Sequence, residues 1–152
     1  LAALGGCASV NAYFVKFRAQ MHADMGFGPD RSEATARLGS LERAGAAFAL
    51  HSDFNLVLTP LSPLLVAEIA VTRIGADGET VLAPGERISV DRALRAITID
   101  AAHVLRRDDR LGSIEVGKMA DFTVLADDPY QVAPTELGNI DVIDTILGGV
   151  PT

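Results

Sequence analysis

"AAFALHSD", residues 46–53, is the stretch whose reading decides the fold. It is an apolar run that ends in an imidazole, a hydroxyl and a carboxylate. A run of this length, preceded by Gly45 and closed by polar residues, reads as a buried strand. Alternation along a strand puts Ala47, Ala49, His51 and Asp53 on one face and Phe48, Leu50 and Ser52 on the other. Small residues at 47 and 49 suit the crowded interior of a closed parallel barrel, and the larger residues then face helices. Asp53 falls at the carboxyl end, the place where barrel active sites are built. His51 is expected roughly 7 Å below it on the same face, at about 3.3 Å of rise per residue.

Adjacent residues of a strand cannot converge, so His51, Ser52 and Asp53 form no nucleophilic triad. Plain readings stand beside the chemical ones. An aspartate after a strand is a common turn or cap residue, and a histidine on a buried face is commonly a hydrogen-bonded core residue.

Working outward, "CASVNAYFV" (7–15) is strand-like, and residues 16–31 read as a polar connection carrying His22 and Asp24. Residues 32–46 predict a helix with Ser32 as its N-cap and Gly45 as its stop. A second helix is expected over 60–74, with Ser62 and Pro63 at its start. Residues 75–87 read as a loop. Ser89 caps a helix beginning "VDRALRAI", and Thr98 can cap another beginning "IDAAHVL". The stretch 106–125 ends in a strand that Asp127, Asp128 and Pro129 close. "IDVIDTILGGVPT" reads as a strand, a Gly148-Gly149 turn and the start of a return strand. Strands alternating with helices indicate parallel βαβ units followed by a separate antiparallel element. Asp121–Leu125 and Val142–Leu147 are expected to share that antiparallel or mixed sheet. Two parallel strands need neighbours to cover both faces, so the chain, which opens on Leu1, is expected to be a piece of a larger protein.

Composition narrows the partners. With 49% hydrophobic and 22% charged residues, the 152-residue chain can bury a core and is no disordered segment. A net charge of −7 argues against nucleic acid and anionic membrane surfaces. One cysteine excludes an internal disulfide and fits a reducing, cytoplasmic setting. No apolar stretch is long enough to span a membrane.

Four segments in order, "AGAAFALHSD" (44–53), "PLSPLLVAEIAVTR" (60–73), "GERISVDRALRAITIDAAHVL" (85–105) and "LGSIEVGKMADFTVLADDP" (111–129), closely resemble the end of metal-dependent hydrolases of the amidohydrolase superfamily. The nearest branch is the one containing N-substituted formamide deformylases. "GSIEVGKMADFTVL" (112–125) is the most specific part. The resemblance implies an α/β chain made of the last strands and helices of a (β/α)8 TIM barrel, over residues 1–110. Residues 111–152 would be the C-terminal strands of a small β-sandwich. It further implies that Asp53 binds a divalent metal, zinc by expectation, and handles the proton of an attacking water. The substrate would be a small molecule with a non-peptide C–N bond. His51 and His22 are the candidates for supporting the site or touching substrate, and His103 reads as a packed or surface residue.

The family's remaining ligands have no counterpart here: a His-x-His pair, a lysine or glutamate, and further histidines on other strands. The chain alone is therefore expected to be inactive, and its open strand edges to favour self-association. Two other classes remain at this stage, a non-catalytic assembly protein of the same fold and an independent small α/β binding domain.

Overall fold

Two separate sheets organise the chain in a computed structural model that describes residues 1–54 and 60–152. The first sheet pairs β1 (Cys7–Asn11) with β2 (Ala47–His51) in parallel, in the register Cys7 to Ala47 and Asn11 to His51. Between them run α1 (Tyr13–His22), a wider helical turn over Ala23–Phe27, and two short helices, α2 (Pro29–Glu33) and α3 (Leu38–Arg43). After β2 come α4 (Pro63–Thr72), α5 (Val90–Ile97) and α6 (Ile99–Val104). The second sheet is antiparallel, with β3 (Phe122–Leu125) next to β4 (Val142–Leu147) and β4 next to β5 (Val150–Pro151). The arrangement is mixed α/β, with parallel and antiparallel strands kept apart as expected. Positive φ at both Gly148 and Gly149 permits the tight turn joining β4 to β5.

The parallel register fixes which side chains share a face. Ala8, Val10, Phe48 and Leu50 lie on one side, in or against the core with Val66, Ile69 and Ile88. Phe48 is fully buried and carries the Arg92 guanidinium 3.7 Å from its ring centre. Asp100 pairs with the same arginine and fixes it there. Cys7, Ser9, Asn11, Ala47, Ala49 and His51 occupy the other face, on which Cys7 and Ser9 are exposed.

α4 is apolar almost all round, which suits a helix covered on several sides. Its Ser62 cap accepts from the Leu65 N–H at 3.2 Å, as the sequence predicts. The turn Pro134–Asn139 lies against it, anchored by the Gly138 N–H donating to Glu68 Oε2 at 2.9 Å. A Cβ at Gly138 would come within 2.9 Å of that carboxylate and 3.2 Å of the Leu65 Cα, so only glycine allows this approach.

The structure corrects several expectations before β2. The strand predicted over 7–15 stops at Asn11, and Tyr13 opens a helix. Burial decides this over β propensity, since Tyr13 and Val15 pack into the core from α1. Residues 16–31, expected as a connection, are largely helical. The single helix predicted over 32–46 is broken at 34–37, and Ser32 is no cap. It lies inside α2, where its hydroxyl donates to the Gly28 carbonyl at 2.9 Å. Later in the chain, Thr98 precedes α6 without capping it, because its hydroxyl turns back to the Leu94 carbonyl at 2.7 Å.

Arg73 explains the break. It is fully buried, in a left-handed conformation (φ 54°) just past α4. Its guanidinium donates to the carbonyls of Glu33, Thr35 and Ala36 at 2.7, 2.9 and 2.9 Å, and its Nε to Leu82. Carbonyls that a continuous helix would bond internally are taken by this one cation. Burial pushes its pKa down to about 10, opposed by the nearby Glu86, so the charge persists at neutral pH. Glu86 completes the arrangement from the other direction. Its carboxylate accepts from the Ser40 N–H at 2.7 Å and the Ser40 hydroxyl, with Arg37 and Arg43 each 3.5 Å away.

Arg73→Met should lower the unfolding free energy by about 3–5 kcal/mol, because four carbonyls lose a buried charged donor. Chemical denaturation measures this. Burial alone would raise the Glu86 pKa, but the hydrogen bonds from Ser40 and Arg37 outweigh it and leave the group below its ordinary value. A depressed carboxylate stabilises the fold above its unfolded pKa, about 4.3, and that contribution is lost as pH falls through the folded value. The stability gap between wild type and Glu86→Gln should therefore be widest near neutrality and close in acid, as thermal melts across pH would record.

Candidate active site

At the carboxyl end of β2 the chain leaves the sheet through Ser52, Asp53 and Phe54. Strand pairing ends at His51, opposite Asn11, and Asp53 lies two residues further on. Its φ of 53° is left-handed, a conformation that aspartate tolerates better than most residues. The predicted strand is thus two residues shorter at this end. Strand alternation places His51 on the same face as Asn11, Ala47 and Ala49, but does not extend to Asp53. His51, Ser52 and Asp53 are all half-buried.

One side chain from the end of the neighbouring strand and one from the start of α1 reach this exit. Asn11 is buried and uses both ends of its amide. Its Oδ1 accepts from the Tyr13 N–H at 2.9 Å, closing the turn that starts α1, and its Nδ2 donates to the Ser52 carbonyl at 3.4 Å. Tyr13 is fully buried, with its hydroxyl 3.0 Å from the Pro60 carbonyl and 3.3 Å from that of Ser62. Burial raises the phenol pKa, partly offset by the bond to Ser62. Sequence reasoning missed both residues. The available signal was a polar Asn at the end of an apolar strand, which is where helix-initiating turns occur.

The histidines do not gather here. His22 is the last residue of α1, not a loop residue as expected. Nine helical steps separate it from Tyr13, roughly 13 Å of axial rise away from the carboxyl end of β1. Its ring packs edge-on between Phe14 and Phe27, with centroids 6.2 and 5.9 Å away. His103 is a surface residue, as expected, with Nδ1 3.0 Å from Asp108. That hydrogen bond holds the Asp108 carboxyl below its usual range. Among the described residues no three His, Cys, Asp or Glu side chains converge into a group that could hold a metal ion. The residues present therefore do not form a ligand set by themselves. Asp53 offers one carboxylate at the end of a parallel strand.

Comparison with known proteins places this geometry. The whole chain, residues 1–152, matches the family described as "Amidohydrolase family", and the chain belongs to that family. It is 34% identical over 120 residues to an imidazolonepropionase from Bacteroides thetaiotaomicron, covering 78% of this chain and 26% of that protein. It is 37% identical over 112 residues to an N-substituted formamide deformylase from Arthrobacter pascens, covering 73% of this chain and 20% of that one. The crystal structure of an uncharacterized metal-dependent hydrolase from Pyrococcus furiosus superposes with a TM-score of 0.66 at 25% identity, over 85% of this chain and 25% of that one. The chain spans about a quarter of the length of these relatives. Among the described residues no helix is long and apolar enough to cross a membrane.

Proposed function

We propose that this chain supplies the proton-handling aspartate, Asp53, to the active site of a metal-dependent hydrolase acting on a non-peptide C–N bond. One observation carries the reading. A chain of the Amidohydrolase family presents an aspartate two residues past a parallel strand, in a backbone conformation that turns it off the strand. Residues 1–110 would then belong to a (β/α)8 barrel and residues 111–152 to a small β-sandwich, completed by further strands of a longer protein. The half-open face of the β1–β2 pair supports this, because parallel sheets are stable when both faces are covered.

The chemistry asked of Asp53 is modest and specific. Its carboxylate accepts a proton from a water as that water attacks the carbonyl carbon of an amide, a formamide or a cyclic amide. The same carboxyl then returns the proton to the departing nitrogen, so that it leaves as an amine and not as an unstable anion. A divalent metal, zinc in our reading, would lower the pKa of the water toward neutrality. The other metal ligands would have to come from residues outside this chain. His51, two residues earlier and on the inward face, is suited to support the site. His22, packed between two phenylalanines, has less claim to touch substrate. The names of the relatives support the substrate class, a small molecule bearing a carbon–nitrogen bond. A cytoplasmic location and self-association through open strand edges complete the proposal.

Asp53→Asn separates proton transfer from size. Asparagine keeps the shape but accepts no proton at neutral pH. In the complete protein, turnover of N-substituted formamides and cyclic amides should fall by about 10² to 10⁴-fold. A fully active variant would remove Asp53 from the mechanism. The 152-residue chain alone should bind no stoichiometric zinc and hydrolyse none of these substrates. Elemental analysis after dialysis against zinc checks this, and one tightly held ion per chain would contradict it.

A further inference from the structure

Asp53 sits between two stretches of backbone that are held from the end of β1 and the start of α1. On the near side, Asn11 Nδ2 reaches the Ser52 carbonyl; on the far side, the Tyr13 hydroxyl reaches the carbonyls of Pro60 and Ser62. Both anchoring side chains are buried, and Tyr13 is wholly so. Ser62 is also the cap of α4, so the far anchor is itself fixed to a core helix. The near anchor is next to a left-handed residue, φ 53° at Asp53. Backbone of that kind persists in a non-glycine residue when its surroundings hold it.

We propose that Asn11 and Tyr13 are positioning residues for Asp53, gripping the chain on either side of it and fixing the direction in which its carboxylate leaves the strand. This inference rests on the role proposed for Asp53, but the grip itself is a property of the fold that can be read without metal or substrate. The amide of Asn11 is suited to the task because it is donor and acceptor at once. Oδ1 starts α1 while Nδ2 holds Ser52, so the helix that follows one strand and the exit from the next share one side chain. An aspartate there could do the first job and not the second.

Backbone ¹⁵N relaxation of the complete protein tests this with two variants. Asn11→Asp keeps the acceptor that opens α1 and removes the donor to Ser52. Tyr13→Phe keeps the ring, which packs tilted against Phe17 with centroids 5.6 Å apart, and removes the hydroxyl. In wild type the order parameters of Ser52, Asp53 and Phe54 should be near the rigid value of about 0.85. In Asn11→Asp they should fall below about 0.7, with residues of α4 unchanged and the thermal midpoint nearly unmoved. In Tyr13→Phe the fall should appear at Leu61 and Ser62, which reads the second anchor even if Asn11→Asp does not fold. Unchanged values at both flanks would overturn the proposal. So would a uniform loosening that included α4, since the two residues would then be ordinary stabilisers. Because no metal or activity enters the measurement, the grip could stand while Asp53→Asn remained active, or fail while that variant was dead.

Discussion

A buried arginine holds together the part of the chain that delivers β2. Arg73 is among the largest fully buried side chains of the described residues, and its four donated bonds end on α2, the α2–α3 connection and the loop after α4. α3 leads directly into β2, so what fixes that connection also fixes the strand that ends in His51. Arg73 occupies a left-handed position at a helix end where glycine would be relaxed. The conformational strain is offset by what the side chain does, since no shorter residue could serve carbonyls on two separate segments. Glu86 complements it by taking the Ser40 N–H in α3 while Arg73 takes carbonyls before that helix. A planar, five-donor fork suits several carbonyls at once, which a lysine could not match.

Much of this was legible in the sequence, and what was not has a common cause. The strand at 47–51, the helix capped by Ser62, the helix capped by Ser89 and the antiparallel pairing of Phe122–Leu125 with Val142–Leu147 follow from local patterns of caps, turns and alternation. The break at 34–37 does not, because its cause lies nearly forty residues away in Arg73. The early end of β1 is similar. Tyr and Val at 13 and 15 favour a strand locally, yet they become core residues of α1 once α4 and β2 are present. At the site, the position of Asp53 past a parallel strand was legible, but its left-handed backbone and its two anchors depend on the contact between β1 and the chain after β2. Tertiary hydrogen bonds of this kind leave no periodicity to read.

The division of labour follows from these contacts. The described residues place one carboxylate past the end of a parallel strand and bring together no converging set of metal ligands. The chain belongs to the Amidohydrolase family and spans about a quarter of the length of its relatives, and on the proposed reading Asp53 is one contribution to a centre completed elsewhere. On that reading, what Asn11 and Tyr13 provide is direction. A general base must meet its water within hydrogen-bond reach, and small errors in placement are costly in rate. A scaffold anchored by Arg73 on one side of β2, and by Asn11 and Tyr13 at its exit, is suited to that demand.

The central claim is that Asp53 faces the metal of the complete protein. A crystal structure of that protein grown with zinc, with the ion located by its anomalous signal, measures this directly. The account predicts an Asp53 carboxylate oxygen about 2.0–2.2 Å from the metal. A fully occupied zinc whose coordination leaves out Asp53 would contradict it.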